Sequence, residues 1–101
     1  MTGGATGARR AGVGAEGDAL IAQYIEVNPR WPALEDAQVI GAGVSVWALI
    51  AHYRAVGGDK AKVAAAYDLP EQAVEAAVQY YQRHRALIDA RLALNAAAFK
   101  A

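Results

Sequence analysis

Apolar positions at spacings of three and four dominate the second half of the chain. Val46, Leu49, Ile50 and Tyr53 share one face, which predicts a helix with that face buried. Ser45 stands where an N-cap is expected, and Val44 and Leu49 are spaced as a hydrophobic staple. Gly57 and Gly58 end the helix. A second helix is predicted over residues 60–67, capped by Asp59, with Val63, Ala64 and Tyr67 turned inward. Residues 68–70 form the turn, and Pro70 suits the first position of a third helix. Nothing between Glu71 and Lys100 breaks a helix, so one rod of roughly 28 residues is expected there. Val74, Val78, Tyr81, Ile88, Leu92 and Phe99 form its stripe, with Ala77, Tyr80, His84, Leu87 and Leu94 alongside. The two short helices can cover only the first half of that stripe. The second half needs another partner, of which a second copy of the chain is the simplest.

The first half is patterned differently. Residues 23–27 suit a short strand, broken by Pro29 and Pro32. Residues 38–44 read as a second extended segment bent at its glycines. The two could pair as a ribbon, or with another chain. Residues 1–17 are rich in Gly, Ala and Thr without periodicity and read as a flexible tail, in which Arg9 and Arg10 could touch phosphate or an acidic partner. The expected organisation is a tail over residues 1–20 and one domain over residues 21–101. Its fold class is mainly α: a trihelical helix-turn-helix domain with a short N-terminal β ribbon and a long C-terminal helix.

Composition narrows the function. A chain of 101 residues builds one domain, without a deep catalytic cleft. Hydrophobic residues are 55 % of it, which argues against disorder throughout, and much of that is alanine, the best helix former. With no cysteine, disulfides, thiolate zinc sites and cysteine nucleophiles are excluded. Ten basic and ten acidic residues give no net charge, which counts against binding DNA chiefly through phosphate neutralisation. No segment resembles a signal peptide or an apolar membrane span, so a cytoplasmic protein is expected.

The corner from Val63 to Val74 has helix-turn-helix spacing. Ala64 is small enough for two helices to approach, Asp68 takes a place where glycine is frequent, Leu69 plugs the core, and Val74 and Ala77 anchor the next helix. Such a corner serves both DNA binding and purely structural roles. On its outer face lie Glu71, Gln72, Glu75, Ala76 and Gln79. Gln72 and Gln79 could read adenine, while Lys60, Lys62 and Arg54 could reach phosphates. Glu71 and Glu75 would be repelled there, and the helix macrodipole already accounts for them. Tyr80 to Arg85 could stack on nucleic acid, although Tyr81 in the apolar stripe beside a solvated arginine face explains the run better.

Chemistry is otherwise sparse. His52 and His84 have no ligand four residues on, so no metal site is expected. Ser45 has no base beside it, and Gly41 and Gly43 lack a phosphate-loop context, so neither a cofactor nor an enzyme is indicated. The residues expected to bind a protein partner are Leu87, Ile88, Leu92, Leu94 and Phe99.

Residues 24–89 resemble the domain-of-unknown-function 433 family of small bacterial and archaeal proteins. The likeness lies in Tyr24-Ile25-Glu26, Val39-Ile40-Gly41, Val44-Ser45-Val46-Trp47, Gly57-Gly58-Asp59, the turn from Ala64 to Leu69, the run from Val74 to Tyr81, and His84 to Asp89. Where that family often carries Gly-Thr-Arg, this chain reads Gly41-Ala42-Gly43. The resemblance implies a dimeric helix-turn-helix antitoxin encoded beside a toxin, often a PIN-like ribonuclease. It would repress its own promoter and cover the toxin with a terminal segment, here Leu87 to Phe99. Zero net charge and the acidic Glu71 and Glu75 face point instead to an adaptor or structural subunit that binds only protein.

Overall fold

The first described turns of the chain are helical. The structure, a computed structural model, describes residues 17–30 and 32–100, with side chains to residue 96. Helix α1 covers residues 17–24, where the tail and the start of a strand were expected. Its Leu20, Ile21 and Tyr24 recur at helical spacing and pack against the core, and Arg83 takes Asp18 in an ion pair. The rest of the expected tail, with Arg9 and Arg10, lies outside the described residues.

Strand β1, Ile25–Glu26, pairs antiparallel with β2, Gln38–Val39, in the register Ile25 opposite Val39. The ribbon read from sequence therefore forms within one chain, from shorter strands. Between them lies a 3-10 turn, Leu34–Asp36. Beyond Val39 the chain doubles back instead of staying extended: Val39 N donates to Val44 O at 2.8 Å, and Gln38 bridges to Ser45. Gly41 and Gly43 make that reversal at φ 77° and 67°. Val46 N then donates to Ala37 O at 2.9 Å, which sets the start of the next helix.

Helix α2 is Val46–Ala55, α3 is Lys60–Tyr67, α4 is Glu71–Arg83 and α5 is Arg85–Lys100. Ser45 occupies the N-cap position of α2, but its side chain makes no capping bond. The backbone bond from Val46 fixes the entry instead, with Val44 packed against the core. At the other end Gly57 N donates to Arg54 O and Gly58 N to Tyr53 O, with Gly57 at φ 68°. This paired closure needs a left-handed residue, which glycine supplies without a Cβ clash. Asp59 caps α3 by accepting from Lys62 N at 3.2 Å. The same closure ends α3, with Asp68 in the left-handed region and Leu69 N donating to Ala64 O at 2.9 Å. Pro70 is the N-cap of α4, one place earlier than expected.

The expected rod is broken. His84, at φ −130° and ψ 37°, separates α4 from α5. Its N–H is shared between Tyr80 O and Tyr81 O, both at 3.1 Å. No proline or glycine causes the break; burial does. The bend folds α5 back on α2 and the 3-10 turn, leaving Ile88 with no exposed surface. Burying an isoleucine side chain contributes on the order of 2–3 kcal/mol, more than the roughly 1 kcal/mol of a weakened backbone bond. The core gathers Ile25, Val39, Val46, Leu49, Ile50, Val63, Val74 and Ile88. Ala73, Ala76 and Ala77 are fully buried and let α4 approach its neighbours closely. The fold is mainly helical with one short two-stranded sheet. Among the described residues no helix is long and apolar enough to cross a membrane.

Candidate interaction surfaces

The residues expected to meet DNA fall into two groups. The first surrounds a shallow depression lined by Lys60, Glu71, Gln72 and Glu75, where the start of α3 meets the start of α4. Lys60 pairs with Glu75, and Gln79 Nε2 donates to Glu75 Oε2 at 2.8 Å. Lys60 and Gln79 hold the Glu75 carboxyl below the usual carboxylate range, and Glu75 raises the Lys60 ammonium above its ordinary value. Lys60 and Gln79 are therefore engaged inside the chain. Lys62 and Gln72 are exposed and have no ion pair or side-chain hydrogen bond among the described residues. Ala76, placed on the outer face by sequence, is fully buried. Because α4 packs on both α2 and α3, its inward arc is wider than one stripe.

The second group surrounds Arg54. Its Nη2 donates to Asp89 Oδ1 at 2.7 Å and also bonds the Tyr81 hydroxyl, which donates to the same carboxylate oxygen at 2.8 Å. The Arg54 and Arg85 guanidinium carbons lie 5.2 and 5.6 Å from the Tyr81 ring centroid. The bond from Arg54, then that from Tyr81, pulls the Asp89 carboxyl below its ordinary range, and Asp89 raises the Arg54 guanidinium. Arg54 thus joins α2 to α5 through Asp89.

Tyr80, not Tyr81, is the deeply buried tyrosine of the pair, at 5 % exposure. Its hydroxyl donates to Leu34 O at 2.6 Å, and burial raises its phenol above the ordinary value. His84 packs against Tyr80 at 4.5 Å between ring centroids, and His52 meets Tyr67 edge-on at 5.5 Å. Among the described residues no group of three histidine or carboxylate side chains is placed to hold a metal ion.

The expected partner-binding residues are split between two sides of α5. Ile88 is fully buried and Leu92 packs against the core, so both belong to the chain's own interior. Full burial removes Ile88 from the partner surface, and Leu92 is half-buried beside it, because the break at His84 turns their side of the helix inward. Leu87 and Leu94 face out, 41 % and 63 % exposed. The Phe99 side chain lies outside the described residues. Between and beside the two leucines are exposed Ala86, Ala90 and Ala93, which the sequence reading passed over. Their spacing was visible, but they were hidden inside a single long stripe. Arg91 borders this face. Its Nε donates to Asp36 at 3.1 Å, and its guanidinium carbon stands 5.0 Å from the Trp47 ring centroid.

A polar cleft lined by Glu26, Asn28, Pro29, Asp36 and Gln38 opens beside the ribbon, and sequence gave no sign of it. No family model, no curated protein and no solved structure matches the chain.

Proposed function

We propose that this chain is a small helical subunit that works by docking on protein through the outward face of α5, in the cytoplasm. The carrying observation is that α5 has spent Ile88 and Leu92 on its own core, yet still presents Leu87 and Leu94 on the opposite side. The engagement of Lys60 by Glu75 and of Arg54 by Asp89 supports a protein surface over a phosphate surface. A photocrosslinking side chain at Ala90 tests this in the native host. The expected product is an adduct with protein. Adducts only with nucleic acid, from a second probe at Gln72, would contradict it.

A second reading is an antitoxin-like helix-turn-helix regulator that covers a PIN-like toxin and binds its own promoter. Exposed Lys62 and Gln72, at neighbouring helix starts, favour it. In that reading α3, the Asp68–Pro70 corner and α4 form the helix-turn-helix. A gel shift on the chain's own upstream DNA, abolished by Lys62→Ala with Gln72→Ala, is its test.

A further inference from the structure

Helix α5 is apolar on two opposite sides. Ile88 and Leu92 are turned to the core, while Ala86, Leu87, Ala90, Ala93 and Leu94 are exposed and carry no polar side-chain atom. The outer side of a surface helix ordinarily bears charge. We infer that a second copy of this chain covers that side, by antiparallel pairing of α5 with α5 about a two-fold axis beside residues 90 and 91. This inference rests on the proposed docking role of α5 and names the occupant.

The pattern is self-complementary. Leu87 and Leu94 lie equally far from the axis, so one two-fold rotation sets Leu87 of each copy against Leu94 of the other. An isologous contact requires that relation. Residues 86 and 87, 90, and 93 and 94 repeat at three and four, which is the spacing of a helix–helix seam. Ala90 at the axis lets the two backbones approach.

Charge favours the same occupant and the same direction. The first turn of α5 has no acidic residue and begins with Arg85, against its own helix dipole. Antiparallel pairing sets the two α5 dipoles head to tail, whereas parallel pairing would set like ends together. The flanking Asp89 and Arg91 are already paired with Arg54 and Asp36, so the rim calls for no oppositely charged foreign surface. Zero net charge removes long-range repulsion between copies. Residues 1–16 are an unsuitable cover, since only Met1 and Val13 there have apolar side chains larger than alanine. One 16-residue helix per copy spans about 24 Å, which puts the interface at the small end of specific contacts, under about 1,200 Å². The pair is accordingly weak and dependent on concentration.

Sedimentation equilibrium of the full chain over a dilution series tests this. The wild type is expected to interconvert between monomer and dimer. Leu87→Glu with Leu94→Glu should weaken the dimer at least about a hundredfold, with helicity by circular dichroism unchanged. If that variant loses its helicity, single cysteines in this cysteine-free chain give the answer. Ala90→Cys should oxidise to a linked dimer. Ala86→Cys should not, because its two copies would stand roughly 13 Å apart along the seam. Equal cross-linking at both positions would overturn the antiparallel register. A wild type that stays monomeric at its highest soluble concentration would overturn the inference and leave docking on a different protein standing. A dimer indifferent to the leucine substitutions would pair through another face, overturning the inference and leaving docking on a different protein standing.

Discussion

Arg54 on the last turn of α2 holds Asp89, at the start of the second turn of α5, at 2.7 Å, with the Tyr81 hydroxyl bonded to both. Three helices converge there, on the side of α5 away from the Arg91–Asp36 pair. The two ion pairs flank Ile88 and fix how α5 lies after the break at His84. Arg54→Met is therefore expected to lower the thermal midpoint, and Asp89→Asn to lower it little further in that background. A double-mutant cycle by thermal unfolding measures this non-additivity. Additive losses would show that the clasp does not act as a unit.

Ile88→Ala separates the two sides of α5. Emptying a fully buried site should cost about 2–5 kcal/mol in chemical unfolding. Leu94→Ala, at an exposed site, should change monomer stability by no more than about 0.5 kcal/mol. Equal losses at both positions would mean that α5 does not turn its Ile88 side inward.

Much of this was legible beforehand and some was not, for identifiable reasons. Asp59, Gly57 and Gly58, and the Val46, Leu49 and Ile50 face mark α2 and α3 by local chemistry, and each lies where that chemistry puts it. The break at His84 has no local marker. It follows from Ile88 finding a site between α2 and the 3-10 turn, a long-range contact that periodicity does not encode. Helix α1 was legible in the spacing of Leu20, Ile21 and Tyr24 but was overshadowed by the strand-like run after it. The pairing of Lys60 with Glu75 was also hidden, because it depends on how the start of α3 meets α4.

Acid should weaken the fold in a defined window. Glu75 titrates below its unfolded range because Lys60 and Gln79 bond it, and Asp89 because Arg54 and Tyr81 do. A lowered carboxylate contributes stability above its unfolded pKa, and that contribution disappears as pH falls through the folded value. Unfolding free energy should hold from neutral pH to the ordinary carboxylate range and fall below it. Glu75→Gln should remove at most about 1 kcal/mol at neutral pH, since the Lys60 pair is largely solvated. It should also flatten the acid limb, as read from urea titrations across pH.

At the alkaline end the sign reverses. Tyr80 and Lys60 both titrate above their ordinary values, the first through burial and the second through Glu75. Their stabilisation is complete below the unfolded pKa and is lost as pH rises through the folded one. Tyr80→Phe deletes the bond to Leu34 O and should cost about 1 kcal/mol near neutral pH. It should also leave a shallower alkaline loss. An unchanged alkaline limb would place the sensitivity elsewhere.

Side-chain oxidation by hydroxyl radicals bears most directly on the outward face of α5. Ile40 is 47 % exposed on the hairpin and serves as an internal standard for Leu94 at 63 %. On dilution Leu94 should oxidise at least as readily as Ile40. At high concentration, or in the native host extract, Leu87 and Leu94 should become protected while Ile40 stays reactive. If Leu94 remained as reactive as Ile40 under every condition, the outward face of α5 would be ordinary solvent-facing surface and its docking role would be wrong.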